Sequence, residues 1–190
     1  MIRLPAFTFI NAPPRSGKST LAQLLSEQDH SLAPSSFTDP LRAALIATFY
    51  PEEFGDSQTM NFYELSTQTK QIPLTKWTNE QFLADYDAFL KAKTNEFILG
   101  DLAKWNVERI RDAYSRFLFD DTRTIGDVAP FINGYGASEC LLLHIERTGS
   151  AWRPGDTGGS LLTLPGIRHF VISNNGEPSA MLKQLESLKL

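Results

Sequence analysis

The sequence has little of what disulfide-stabilised, zinc-binding and membrane-spanning proteins need. Its 190 residues include one cysteine, Cys140, so no internal disulfide can form, and the three histidines show no spacing typical of a metal site. No apolar run approaches the length of a membrane span, and the apolar stretch after Arg3 is too short for a signal peptide and contains Pro5. These absences favour a reducing compartment, and we expect a cytoplasmic protein without a membrane partner.

Positive charge is also scarce. The chain has 18 lysines and arginines against 22 aspartates and glutamates, a net charge of −4. Proteins that bind the DNA backbone usually carry a basic excess, so we do not expect a nucleic acid partner. The apolar content of 42% and charged content of 21% are typical of a globular protein, and the chain is long enough for one domain with its own core.

Residues 7–20 carry the strongest functional signal. They read Phe-Thr-Phe-Ile-Asn-Ala-Pro-Pro-Arg-Ser-Gly-Lys-Ser-Thr, which is an apolar run, a tight loop and the start of a helical pattern. The loop matches the phosphate-binding pattern G-x-x-x-x-G-K-[ST], except that Ala12 replaces the first glycine. Alanine tolerates positive φ poorly, so we expect a slightly reshaped loop.

In such a loop the backbone N–H groups hold phosphate, Lys18 reaches the β- and γ-phosphates, and the Ser19 hydroxyl ligates Mg²⁺. The pattern therefore predicts ATP and Mg²⁺ as cofactors. The predicted contact residues are Ala12, Arg15, Ser16, Gly17, Lys18, Ser19 and Thr20.

Alternation of β-like runs and helical stretches predicts a single α/β domain over residues 1–190, with about five parallel strands flanked by helices. We place strands at 7–11, 35–38, 116–120, 140–145 and 169–173, and helices at 18–27, 39–50, 79–114 with a break near Gly100, 128–135 and 178–188. Residues 50–114 form a helical insertion that we assign to substrate binding. The glycine-rich stretch 147–160 follows a strand, where α/β proteins bind ligands, and we expect a mobile loop there.

Charged side chains after the predicted strands are candidates for the chemistry of this site. The candidate cations for phosphate are Arg15, Arg42, Arg123, Arg147 and Arg153. Arg42 and Arg123 are favoured, because each lies just past a strand end and the planar fork of arginine suits phosphate.

Among the carboxylates, Asp39 has two open roles: a contact to a nucleotide sugar, base or Mg²⁺, or a cap for the helix that follows. Asp120 and Asp121 are adjacent on a strand, so we expect only one of them in the cleft, and we prefer Asp121 as the catalytic carboxylate near the metal. His144 alternates with apolar strand residues and is predicted to be structural.

These pieces together resemble the deoxynucleoside monophosphate kinases of tailed bacteriophages, within the P-loop nucleoside monophosphate kinase superfamily. The matching segments, in the family's order, are Arg15-Ser16-Gly17-Lys18-Ser19, Ser36-Phe37-Thr38-Asp39-Pro40-Leu41-Arg42, Asp121-Thr122-Arg123 followed by Asp127, Ile145-Glu146-Arg147, and Ile172-Ser173-Asn174-Asn175-Gly176.

The resemblance implies a P-loop kinase fold with a mobile lid and transfer of the ATP γ-phosphoryl group to a deoxynucleoside 5′-monophosphate. It also implies host cytoplasm for a phage-encoded chain, and a homodimer would be in keeping with it. The implied roles are acceptor binding for Asp39, Arg42, Arg123 and Asp127, phosphate contacts for Arg147 and adenine contacts for the Asn175 loop. The implied catalytic set is Lys18, Asp121, Arg123 and Arg147.

The chain departs from the family at Ala12, at residues 156–160, and at Lys104, where the family has an arginine. Two other functions therefore stay open. A kinase that acts on a modified nucleoside in DNA would need a basic groove, and a non-catalytic regulator would bind the nucleotide without turnover.

Overall fold

A computed structural model describes residues 2–49, 71–72, 75–152 and 158–188, and in these ranges all five strands are parallel and belong to one sheet of order β2-β3-β1-β4-β5. The predicted α/β architecture, with its five-stranded parallel sheet and flanking helices, is confirmed. The strands are β1 Phe7–Asn11, β2 Leu32–Ser35, β3 Arg116–Phe119, β4 Cys140–Glu146 and β5 Arg168–Ser173. The α-helices are α1 Lys18–Gln28, α2 Asp39–Phe49, α3 Asn79–Lys93, α4 Ile98–Ile110, α5 Ile125–Tyr135 and α6 Ser179–Ser187.

Both faces of the sheet are covered, as an all-parallel sheet requires. Helices α1 and α6 pack on one face against side chains such as Ile10 and Leu143. On the other face, α2, α4 and α5 pack against a cluster rich in phenylalanine. Phe9 and Phe119 stack there with ring centroids 5.4 Å apart, and the edge of the Phe131 ring meets both rings. This packing fixes the carboxyl ends of the strands, where the loops of the candidate site begin.

The second strand lies earlier in the chain than predicted: β2 covers Leu32–Ser35 and not 35–38. The cause is a competing set of hydrogen bonds. The backbone N–H groups of Phe37 and Thr38 donate to the carboxylate of Asp121, at 3.0 and 3.3 Å, and so leave the strand ladder.

The predicted break near Gly100 is wrong, because the helical region 79–114 is interrupted at residues 94–97 and Gly100 lies inside α4. A Cβ on Gly100 would be 2.6 Å from the backbone oxygens of both Gly126 and Asp127. The glycine therefore marks a close contact between α4 and α5 rather than a helix end. The same contact holds the first turn of α5 against α4.

Helix α5 begins at Ile125, three residues before the predicted start. Thr124 and Asp127 form a reciprocal capping box, in which each side chain accepts a hydrogen bond from the other's backbone N–H.

The remaining boundaries agree with the predictions to within a few residues. Of the segments assigned to substrate binding and to the mobile loop, residues 50–70, 73–74 and 153–157 lie outside the described residues, and Arg153 is among them. No helix in the described ranges is both long enough and apolar enough to span a bilayer.

Candidate active site

The loop between β1 and α1 turns back on itself through two left-handed residues, Arg15 with φ 64° and Gly17 with φ 99°. Successive backbone N–H groups in such alternating conformations point into a shared concavity that suits an anion. Gly17 is the N-cap of α1, and no side chain caps this helix start. The geometry has the features of a phosphate cradle at a helix N-terminus.

Ala12, for which we expected a slightly reshaped loop, does not have positive φ. In the part of the chain that the structure describes, Arg15 is the one non-glycine residue with positive φ. Ala12 is 2% exposed and its methyl group belongs to the core beside α1 and α6. The alanine therefore fits the loop without left-handed backbone at its own position.

The loop is backed by the turn that follows β5. Asn174 donates from Nδ2 to the backbone oxygen of Ser16 at 2.8 Å, and a Cβ on Gly17 would lie 2.4 Å from the same nitrogen. Asn175, the residue singled out in the sequence, accepts at Oδ1 from the N–H of Thr148 at 2.7 Å. The turn thus touches the phosphate loop through Asn174 and the segment after β4 through Asn175.

Lys18 folds back over its own loop. Its Nζ donates to the backbone oxygen of Ala12 at 2.8 Å and to that of Pro13 at 3.4 Å. Arg147, after β4, reaches the same loop from the other side and donates from a guanidinium nitrogen to the oxygen of Arg15 at 3.2 Å. Two of the predicted cations therefore meet at the cradle, and both contact backbone carbonyls there.

The Ser19 hydroxyl donates to Oδ2 of Asp120 at 3.0 Å. Burial raises the pKa of Asp120, the Asp121 carboxylate raises it further, and the bond from Ser19 opposes the rise. A hydroxyl and a carboxylate oxygen are hard ligands that fit Mg²⁺, which keeps water and phosphate oxygens in the rest of its shell. No group of three or more histidine, cysteine, aspartate or glutamate side chains in the described ranges could hold a metal by itself. Thr20, also on the first turn of α1, is exposed.

The two adjacent aspartates have different partners, and the preferred Asp121 is not the one that meets the predicted metal ligand Ser19. Asp121 faces the connection between β2 and α2, where it accepts from the Ser36 hydroxyl at 2.6 Å and from the Thr38 hydroxyl at 3.2 Å, besides the two backbone bonds described above. It is Asp120 that meets Ser19. Both carboxylates lie past the end of β3, so the strict alternation of strand side chains does not apply to them.

Asp39 and Arg42 form an ion pair on the first turns of α2, with 3.2 Å between a guanidinium nitrogen and Oδ1. The other oxygen of Asp39 accepts from the N–H of Ser36 at 3.0 Å, in the turn that precedes α2. Burial raises the pKa of Asp39, Arg42 opposes that rise, and Asp121 adds to it. Asp39 therefore binds the turn before α2 and holds Arg42, and the two roles considered for it in the sequence stay predictions.

Arg123 is exposed, whereas Asp127 lies behind it with 3% exposure. One oxygen of Asp127 accepts from the N–H groups of Arg123 and Thr124, each at 2.8 Å. Burial raises the pKa of Asp127, and these bonds oppose the rise. Substrate binding by Asp127 stays a prediction; in the structure its carboxylate binds the backbone that carries Arg123.

Two buried polar residues at the strand ends escaped the sequence reasoning about binding. Asn11, at the end of β1, and His144, its partner on β4, are 0% and 3% exposed, and Asn11 Oδ1 lies 3.0 Å from His144 Nδ1. Burial lowers the pKa of His144, Lys18 lowers it further, and Glu146 opposes them. The signal in the sequence that could have found these two residues is a polar side chain in a mostly apolar strand.

The segment that carries Gly17-Lys18-Ser19 has the strand, loop and helix arrangement of a phosphate-binding loop, at the carboxyl edge of a parallel sheet in an α/β fold. A scan of family models gives no match to this sequence, and no curated protein matches it. Among solved structures, a dephospho-CoA kinase from Campylobacter jejuni is similar with a TM-score of 0.44 and 10% identity, over 97% of each chain. A gluconokinase from Sinorhizobium meliloti 1021 is similar with a TM-score of 0.41 and 14% identity, over 98% of this chain and 95% of the other. At these values neither structure identifies a substrate for this chain.

Proposed function

We propose that this chain is an ATP-dependent kinase that phosphorylates a deoxynucleoside 5′-monophosphate to the diphosphate. The observation that carries the proposal is that two consecutive aspartates bind two different parts of the site. Asp120 binds Ser19 of the phosphate loop, and Asp121 binds the connection that leads to Asp39 and Arg42. A donor cradle and an arginine-bearing acceptor side are thereby joined at one strand end, as phosphoryl transfer between two phosphates requires.

On the donor side, the backbone of the loop and Lys18 would hold the ATP phosphates, and Ser19 and Asp120 would hold Mg²⁺ and its water shell. Bound Mg²⁺ would neutralise charge on the β- and γ-phosphates. Lys18 bonds to two carbonyls of its own loop, which places its ammonium group at the cradle. By the family resemblance, the adenine would lie against the turn that holds Asn175.

On the acceptor side, Arg42 and Arg123 would bind the monophosphate in the bidentate manner that suits guanidinium and phosphate. An oxygen of that phosphate attacks the γ-phosphorus, the bond to the β-phosphate oxygen breaks, and ADP leaves. The attacking oxygen of a phosphate dianion has no proton to lose, so this step needs positioning and cations rather than a general base. Arg147, at the loop, would bind the charge that builds on the transferred group.

The test is ATP–Mg²⁺ turnover with a panel of deoxy- and ribonucleoside monophosphates, common and modified, with products separated by chromatography. We expect a diphosphate from at least one deoxynucleotide. Binding of ATP without any diphosphate product would contradict the proposal. Such a result would favour a modified nucleoside in DNA as acceptor, or a regulator that binds nucleotide without turnover. The cytoplasmic location and the homodimer stay predictions; sedimentation of the purified chain tests the second.

A further inference from the structure

One peptide group in the candidate site is held at both of its polar ends by buried side chains. It joins Thr122 to Arg123. The carbonyl oxygen of Thr122 accepts from Asn11 Nδ2 at 3.1 Å, and the N–H of Arg123 donates to Asp127 Oδ2 at 2.8 Å. Asn11 and Asp127 are 0% and 3% exposed; the bond from Asn11 is buried and the bond to Asp127 is partly buried, which limits competition from water.

The orientation of the Asn11 amide follows from its bond to Thr122. A carbonyl can only accept, so the NH₂ group of Asn11 must face Thr122 and its Oδ1 must face His144. His144 therefore donates from Nδ1 over the 3.0 Å that separates the two atoms. A flipped amide would lose the bond to Thr122, and it would keep a bond to His144 only if the imidazole changed to the tautomer that accepts at Nδ1.

The three residues of this chain of bonds come from three neighbouring strand ends. Asn11 ends the strand that enters the phosphate loop, His144 lies beside it on β4, and Thr122 follows β3 on the other side. The bonds therefore tie the backbone of Arg123 to the strand that positions the donor cradle. Asp127, on the first turn of α5, fixes the opposite end of the same peptide group.

We propose that Asn11, which is hydrogen-bonded to His144, is a positioning residue for Arg123. The inference rests on the proposed function, in which Arg123 binds the acceptor phosphate. Asn11 has no role in contacting substrate; it fixes the direction in which the exposed Arg123 side chain leaves the backbone. A displacement of a substrate-binding group by about 1 Å can reduce the rate by up to roughly 100-fold. The two hydrogen bonds that fix this peptide group should therefore have a measurable effect on catalysis.

The experiment compares Asn11→Ala with Thr8→Val. Thr8 lies on the same strand with 0% exposure, and its hydroxyl has no hydrogen-bond partner in the part of the chain that the structure describes. Three quantities are measured in the full chain: hydrogen exchange of the Arg123 amide, the KM for the accepted monophosphate, and the Kd for ATP. His144→Phe, which keeps a ring but removes the donor to Asn11, is the second variant.

For Asn11→Ala we expect exchange of the Arg123 amide to be about tenfold faster, as loss of one buried hydrogen bond would give, and the acceptor KM to rise about 10- to 100-fold. The Kd for ATP should change less than about twofold, which is well below the tenfold change that about 1.4 kcal/mol would give. His144→Phe should show the same two effects to a smaller degree, because Asn11 can still reach Thr122. Thr8→Val should show neither.

A folded Asn11→Ala protein in which either the Arg123 amide or the acceptor KM is unchanged overturns the inference. If Asn11→Ala does not fold, His144→Phe decides by the same two readouts. If the unmodified chain phosphorylates no monophosphate, the proposed function fails, and the exchange of the Arg123 amide alone decides whether Asn11 holds this peptide group.

Discussion

The hydroxyl of Ser19 and the carboxylate of Asp120 are joined by a 3.0 Å hydrogen bond although 101 residues separate them in the chain. The neighbouring Asp121 makes no such bond and accepts from Ser36, Phe37 and Thr38 instead. Two adjacent carboxylates of the same chemistry therefore have different partners, and their replacement should have different consequences.

Asp120→Asn should raise the Mg²⁺ concentration needed for half-maximal turnover by about 10- to 100-fold, as loss of a charged partner of a metal site does, and leave the acceptor KM nearly unchanged. Asparagine keeps an oxygen for Ser19 but loses the charge. Asp121→Asn is the matched control and should raise the acceptor KM instead, because it loosens the connection that carries Asp39 and Arg42. Steady-state kinetics over a Mg²⁺ series measures both. An equal Mg²⁺ shift in the two variants would refute the separation of roles.

Burial should make the Asp120 charge costly to the free protein. Its pKa is raised above the ordinary value of 3.8, so the folded state binds the proton more tightly than the unfolded state does. The stability that the protonated group contributes is therefore lost as the pH rises above 3.8 through the raised pKa. Asp120→Asn should raise Tm relative to the unmodified chain at pH 7 without Mg²⁺, and this advantage should vanish near pH 3. Calorimetry at several pH values tests it. The control is Asp112→Asn, an exposed aspartate, which should show no such trend.

The sequence predicted the parts of the site that depend on local chemistry. The strand, loop and helix around Gly17 are encoded within 20 residues, and β1 and α1 were placed within one residue of their observed bounds. Arg42 also lies where its position after a strand indicated, at the carboxyl edge of the sheet.

What the sequence could not predict depends on contacts between distant residues. The end of β2 is set by Asp121, some 84 residues away, because that carboxylate takes the N–H of Phe37 out of the ladder. Whether Asp120 or Asp121 meets Ser19 depends on the path of the chain after β3, which no local pattern encodes. Gly100 looked like a helix break because the close approach of α5 is invisible in the sequence.

Gly100→Ala should destabilise the fold by about 1–3 kcal/mol, because the new methyl group would be forced against the backbone of α5. The closest atoms, two backbone oxygens at 2.6 Å, cannot rotate away.

Gly134→Ala, in the same helix pair, is the matched control. Its methyl group would meet the end of the flexible Lys104 side chain, at 2.4 Å from Nζ, and alanine favours helix by about 1 kcal/mol over glycine. Urea unfolding should therefore show a loss for Gly100→Ala and a neutral or stabilising effect for Gly134→Ala. Equal losses would contradict the close contact of α4 with α5.

Lys18→Met should reduce kcat by a factor on the order of 100 to 1,000 or more, the range found when one preorganised donor to a transition-state charge is removed. Methionine keeps the aliphatic length of lysine, so the fold should survive with an unchanged circular dichroism spectrum. Lys183→Met, on the exposed face of α6, controls for the loss of one positive charge and should keep full turnover. Substantial turnover by Lys18→Met would mean that the loop does not hold the transferred phosphate.

Arg123→Lys and Arg123→Ala separate charge from geometry on the acceptor side. Lysine keeps the charge but lacks the planar fork, so both variants should raise the acceptor KM, alanine more than lysine, by roughly 10- to 100-fold for a lost charged hydrogen-bond pair of about 1.5–3 kcal/mol. The KM for ATP should stay within about twofold, because the backbone bonds of Arg123 to Asp127 and, through Thr122, to Asn11 are unaffected. Arg109→Ala, an exposed arginine that stacks on Trp105 at 4.9 Å, controls for the loss of a surface cation. Unchanged acceptor kinetics in Arg123→Ala would remove Arg123 from the acceptor site. The hydrogen bonds that hold its backbone would then have no role in acceptor binding.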